Sequence, residues 1–275
     1  MKKILALMLA LCLALTMFVA CGEKDDANTN SPDNNAVDPV QGNDNADDST
    51  DEPVVDETNT GVMTHADYVA AAIDTQVVVE TYVQAKQSWW ENKATIYAQS
   101  QDGAYFIYEL PCSEDEYAKL VPGTKIKVTG YKSEWSGEVE ITDATYEIIE
   151  GDTFVATATD VTALLGTDEL IDHQNEFVSF KGMTVEAAGK DADGNDVPYL
   201  YKWDGSGQDG DDLYFNVSIN GNTYTFTVES YLCDNTTDVY AAVKNLKIGD
   251  KIDMEGFLYW YEGVNPHITA VTTAE

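Results

Sequence analysis

Residues 62–275 hold two collinear copies of one pattern. Ile73-Asp74-Thr75-Gln76 returns as Ile171-Asp172-His173-Gln174, each time just ahead of a β-branched and aromatic run. Leu120, Gly123, Lys125, Ile126, Gly130, Tyr131 and Gly137 return at a constant spacing as Leu246, Gly249, Lys251, Ile252, Gly256, Phe257 and Gly263. Ile141-Thr142 meets Ile268-Thr269 one residue beyond that spacing. Cys112 and Cys233 also correspond, each followed by an acidic stretch and a Tyr-Ala pair, Tyr117-Ala118 and Tyr240-Ala241. Matches that stay in order across two segments mark a duplicated unit, so whatever fold suits one copy must suit the other. With 275 residues in all, the chain has room for two modest cores of ~100–150 residues each once a targeting segment is set aside.

Both copies read alike. In the first, Thr64 caps a short helix with Asp67 three places on, and Tyr68 to Ile73 continue it. A strand over Val77 to Val83 follows, then a hairpin (Ala94 to Gln99, Ala104 to Leu110), a brief helix near Ser113 to Leu120, and strands over Lys125 to Tyr131 and Val139 to Ile148. The second copy predicts strands at Phe177 to Val185, Tyr199 to Trp203, Leu213 to Ile219 and Thr223 to Val228. A helix near Thr237 to Leu246 and strands at Lys251 to Trp260 and His267 to Thr272 complete it. Its extra length lies mainly in the Gly/Asp-rich stretch 189–212, which reads as an extended hairpin. Three strands, a helix and two more strands resemble the OB-fold, a five-stranded Greek-key barrel. The expected fold is therefore mainly β: two tandem OB-like barrels at 62–150 and 151–275, each led by a short helix. A generic β-sandwich is the alternative.

That resemblance implies a ligand face on strands 2 and 3 with the 1–2 and 4–5 loops, the face that serves oligonucleotides and oligosaccharides. Trp89 and Trp90 fall in the first such loop, Tyr97 on strand 2, Trp135 in the 4–5 loop, and Tyr259, Trp260 and Tyr261 in the corresponding turn of the second copy. Large aromatic rings in polar loops either pack or bind. Beside carboxylates and amides they suit sugars, whose apolar faces stack while hydroxyls hydrogen-bond. The other reading is that they plug the barrel ends or join the copies. Bases could stack on the same rings.

Charge bears on the ligand class. The chain has 49 acids, 15 bases and a formal charge of −34, and no arginine. Phosphate recognition runs on clustered cations, so the composition places nucleic acid outside the expected partners. Lys125, Lys127 and Lys132 with Lys119 form one local group of bases. Asp191, Asp193 and Asn195 resemble the opening of an EF-hand calcium loop, but Asp196 stands where the bend needs glycine and Lys202 where the bidentate glutamate belongs. An ordinary turn is the stronger reading, and no other cofactor is implied. Catalysis finds little support: His65, His173 and His267 lie in separate elements, and neither a nucleophile elbow, HExxH nor a P-loop occurs. Cys112 and Cys233 are expected as buried free thiols, with a bridge between copies as the alternative.

The N-terminus supplies an address. Lys2 and Lys3 precede an apolar run from Ile4 to Val19 that ends at Ala20-Cys21. Phe18-Val19-Ala20-Cys21 resembles a bacterial lipobox, which implies a signal peptide over 1–20 and lipid on Cys21. Residues 21–61 are rich in Asp, Asn, Pro and Thr, with twelve acids against the single Lys24, and read as a disordered tether. These features together lead to an expectation of a surface-anchored, non-catalytic binding lipoprotein on the extracytoplasmic face of a bacterial membrane. Its expected ligand is a carbohydrate or another extracellular molecule taken by the aromatic loops. A structural protein that docks a protein partner is the rival.

Overall fold

Each half of the chain closes into a five-stranded barrel, and the strand order is the same in both. In a computed structural model that describes residues 61–274, the first barrel is built from β1 (Gln76–Lys86), β2 (Lys93–Gln99), β3 (Ala104–Pro111), β4 (Lys125–Trp135) and β5 (Glu138–Ile148). Its order is β1-β2-β3-β5-β4, closed by the antiparallel β1–β4 pair, with β3 and β5 parallel. After the two-residue β6 (Thr159–Asp160), the second barrel uses β7 (Phe177–Glu186), β11 (Leu213–Ile219), β12 (Asn222–Val228), β13 (Lys251–Phe257) and β14 (His267–Thr273). There β11-β12-β14-β13-β7 run in sequence, β7 pairs back onto β11, and β12 and β14 are parallel. The expected OB-like tandem architecture is the one found. The signal segment, Cys21 and the acidic stretch lie outside the described residues.

The repeated residues are those the closed barrel needs. Gly123 and Gly249 both adopt positive φ, +89° and +93°, where a side chain is disfavoured. Each then ties strand 4 to strand 1 with the same bond pair. Gly123 N donates to Val83 O (2.8 Å) while Val83 N donates to Thr124 O (2.9 Å); Gly249 N donates to Val185 O (2.8 Å) while Val185 N donates to Asp250 O (2.9 Å). Gly130 and Gly256 sit at register shifts between strands 4 and 5. A Cβ on Gly130 would lie 2.6 Å from Ile141 Cγ2, and one on Gly256 2.3 Å from His267 O, so the bulge leaves no room for a side chain.

The cores follow the strand alternation. Val77, Val79, Ile96, Ile107, Ile126, Val128 and Ile141 fill the first barrel; Val178, Phe180, Phe215, Val217, Phe226, Met254 and Ile268 fill the second. The paired tyrosines have matching duties. Tyr117, at the end of α2 (Glu114–Tyr117), donates its hydroxyl to Gln87 O (3.0 Å). Tyr240, in α3 (Asp238–Lys244), donates to Asp211 O (2.7 Å), so each fastens the loop between strands 1 and 2 of its own barrel.

The copies differ at their entrances. A helix, α1 (His65–Ala70), leads the first barrel, closed by a Thr64–Asp67 capping box as expected, but it ends at Ala70 instead of reaching Ile73. Lys132 terminates it: its Nζ donates to Tyr68 O, Val69 O and Ala71 O at 2.8–3.0 Å, offsetting the carbonyl end of the helix. The second barrel is entered through 3₁₀ turns at Thr162–Leu164 and Asp168–His173. The 189–212 insertion is shorter in strand than expected, a two-residue hairpin of β8 (Gly189–Lys190) and β9 (Asp196–Val197) plus β10 (Tyr199–Tyr201). β10 pairs with the first half of β11, ahead of the stretch that β7 covers.

Candidate binding surface at the seam between the barrels

All the described residues belong to one compact unit, and the barrels meet through a defined aromatic layer. Tyr97, Phe106, Phe257 and Tyr259 form a core cluster of their own, separate from either barrel interior, with Phe177 against it. The Tyr97 ring lies 4.6 Å from Phe257 and Phe106 5.2 Å from Tyr259, while Tyr259 stacks on His267 at 4.2 Å. Burial holds the His267 pKa down to about 3, so the ring is neutral near pH 7. Gln87 Nε2 donates to the Tyr97 hydroxyl oxygen (3.2 Å), which leaves its O–H to donate to His267 Nδ1 (2.7 Å). The outward side of β2, the expected ligand face of the first barrel, is thus covered by the second barrel.

The tip of the β4–β5 hairpin is locked into the same seam. Glu138 is fully buried. Its Oε2 accepts from Trp260 N (2.9 Å) and from Gln174 Nε2 (3.3 Å), and its Oε1 has no partner. Burial pushes this carboxyl up to about 8, so it is largely protonated at neutral pH. Gln174 Nε2 also donates to Gly137 O (2.8 Å), and Asn175 Nδ2 to Val139 O (3.0 Å). A Cβ on Gly137 would lie 2.9 Å from Trp260 Cδ1, so glycine there admits the indole. Glu262 N donates to Ser136 O (2.7 Å), which joins two positions equivalent in the repeat.

One ring pair at this seam faces solvent. Trp135, 54% exposed, and Tyr261, 44% exposed, lie 5.1 Å apart with planes tilted by 39°. They too are equivalent positions, one from each barrel. Tyr214, on β11, lies within electrostatic reach of Tyr261, Asp212 and Glu229; burial is the main cause that raises its phenol, and those groups add to it. From Tyr214 the outward positions of β11 and β12 continue as a polar surface. Asn216 stands opposite Thr225, whose Oγ1 donates to Asn216 Oδ1 (2.8 Å), and Ser218 stands opposite Thr223. Unlike its counterpart in the first barrel, this strand 2–3 face is not covered by a second barrel.

The residues expected to bind therefore divide. Trp135 and Tyr261 come together in the open. Trp260 is partly buried against the second core, and Tyr97 and Tyr259 are buried between the barrels, which corrects their expected place on an open face. Trp89 packs on the first core with its Nε1 donating to Cys112 O (3.0 Å), while Trp90 is 65% exposed and has no ring contact with the seam pair. Cys112 and Cys233 are both buried free thiols, so the bridge is not formed. Asp191 holds a turn: its Oδ1 accepts from Asp193 N (3.0 Å) and Asn195 N (2.8 Å), and its Oδ2 from Asn195 Nδ2 (3.0 Å). Among the described residues no cluster of three His, Cys, Asp or Glu side chains is arranged to hold a metal ion. In the basic group, Lys132 is turned inward and Lys125 pairs with Glu80 at 2.8 Å. Tyr214, Asn216 and Glu138 were not singled out in the sequence, and Gln174 only as the end of the repeated tetrapeptide; strict alternation along Leu213–Ile219 was the one signal that could have placed Tyr214 and Asn216 outward. A separate cleft of about 720 Å3, lined by Tyr82, Gln101, Asp152, Thr153 and Phe154, lies where the inter-barrel linker runs beside β1.

No protein-family model and no curated protein matches the chain. Among solved structures, the chain is similar to a murine DNA-binding protein bound with double-stranded DNA, at 12% identity and a TM-score of 0.35 over 72% of this chain and 96% of that one. It is also similar to the p204 HINb domain, at 11% identity and a TM-score of 0.34 over 74% of this chain and 100% of that one. A third is the Ifi202 HINa domain in complex with DNA, at 11% identity and a TM-score of 0.32 over 74% of this chain and 98% of that one. Two of these three were solved on DNA, which runs against the expectation that nucleic acid lies outside the partners.

Proposed function

We propose that this chain is a lipid-anchored, non-catalytic binding protein whose tandem barrels act as one rigid head and take a carbohydrate across their seam. The exposed Trp135–Tyr261 pair carries the reading, because two large rings brought together in solvent, one from each barrel, form an apolar patch that is costly unless it meets a ligand. The ring pair is held from behind by the Glu262–Ser136 and Trp260–Glu138 bonds, so little order is lost when a ligand docks. Sugar rings stack on such faces, and the Asn216–Thr225 surface beside them offers hydroxyl partners. The lipobox-like Phe18-Val19-Ala20-Cys21 supports anchoring at Cys21 and an extracytoplasmic address, with residues 22–61 as the tether. Labelling with a palmitate analogue in a bacterial host tests the anchor: Cys21→Ala should lose both label and membrane retention, and a labelled Cys21→Ala chain overturns it.

Calorimetric titration of the full chain with glycan tetramers, a protein extract fraction and a short single-stranded oligonucleotide tests the ligand class. Saturable glycan binding that weakens about tenfold in Trp135→Ala supports the reading. Binding of the oligonucleotide alone, or of a protein alone, overturns it.

A further inference from the structure

Charge at the seam narrows the ligand further, and this step rests on the carbohydrate reading. Segments 133–140 and 258–266 carry the ring pair, and Asp212 lies with Tyr261 within electrostatic reach of Tyr214; leaving aside Glu138 and Glu140, whose carboxyls burial pushes up, these stretches supply Glu134, Asp212 and Glu262 and no lysine. The nearest cation in sequence, Lys132, is buried and spends its ammonium on three carbonyls of α1. Elsewhere in the molecule exposed acids commonly have a lysine partner: Glu109 with Lys93, Glu80 with Lys125, Asp209 with Lys244 and Asp196 with Lys190. Glu134 and Glu262 adjoin the two exposed rings in the chain.

We infer that the seam recognises a positively charged ligand group, namely the free amines of an amino-sugar glycan, against the faces of Trp135 and Tyr261. Aromatic faces attract ammonium groups through the ring quadrupole, and nearby uncompensated carboxylates add to that attraction. The negative field of the whole chain steers cations toward it from beyond contact distance. A neutral sugar would use the rings but not the charge.

The test compares a glucosamine tetramer with an N-acetylglucosamine tetramer by calorimetry on the full chain, in low and high salt. The amine form should bind about tenfold tighter, and the gap should shrink in high salt and in Glu134→Gln/Glu262→Gln. Trp135→Ala and Tyr261→Ala keep every charge, so they separate a site from diffuse attraction of a cation to an acidic protein. If those variants bind the amine tetramer as tightly as the parent, the inference is overturned. Equal affinity for the two tetramers overturns it while leaving the carbohydrate reading in place. If neither tetramer binds, both fall.

Discussion

The two barrels share one strand order and one set of glycine positions, yet they use the strand 2–3 surface in opposite ways. In the first barrel that surface carries Tyr97 and Phe106 and is covered by the Phe257–Tyr259 side of the second. In the second it carries Asn216, Ser218, Thr223 and Thr225 and has no such cover. Duplication supplied two equivalent faces; one became apolar and joined the barrels, and the other stayed polar. The contact is heterologous, since the first barrel presents strands 2 and 3 while the second presents strands 1 and 4. At the 4–5 tips equivalent residues meet, Glu262 with Ser136 and Tyr261 with Trp135, and those tips hold the exposed ring pair.

The contrast can be broken at several points. Tyr97→Ala removes the centre of the joining layer and should cost about 3–5 kcal/mol, with urea unfolding split into two transitions as the barrels uncouple. The same truncation on the open face, Asn216→Ala, should leave a single transition. Gly256→Ala should cost about 3 kcal/mol, because the new Cβ would meet backbone at His267 O and Ile268 Cα. Gly130→Ala should cost less, since its closest neighbour is the movable Ile141 methyl. Chemical denaturation of the pair measures whether the shared bulge is equally tight in both barrels.

Glu138 sharpens the comparison through pH. Burial raises its carboxyl from 4.5 to about 8 in the folded chain, so the folded state holds a proton that the unfolded state releases. Stability from this group is therefore intact below about pH 4.5 and declines as pH rises through about 8. Glu140 and Glu229, each pushed to about 7 chiefly by burial, act in the same direction. Glu138→Gln should flatten the decline and leave the variant more stable than the parent by about 1 kcal/mol at pH 8. The smallest effect belongs to Trp90→Ala, within about 0.5 kcal/mol in stability and without change in glycan affinity, because that indole is exposed and makes no ring contact with Trp135 or Tyr261.

Much of the fold was legible in the sequence because it is written in local terms. Gly123, Gly130 and their counterparts recur since turns and bulges tolerate little else, and the Thr64–Asp67 cap needs only four residues. The joining layer was not legible. Tyr97 and His267 lie 170 positions apart, and nothing local to either announces the other. Adjacent Trp89 and Trp90 looked like a pair, but one packs inward and the other outward, as neighbours in extended chain do. Trp135 and Tyr261 were named as separate loop aromatics; only the closed seam makes them one surface.

The indole region of a nitrogen–proton correlation spectrum tests the central claim most directly, because its five signals report Trp89, Trp90, Trp135, Trp203 and Trp260 separately. On titration with the amine tetramer the Trp135 signal should move and saturate while Trp89, Trp90 and Trp203 stay in place. Movement of Trp90 or Trp203 with Trp135 unchanged would contradict a binding surface at the seam.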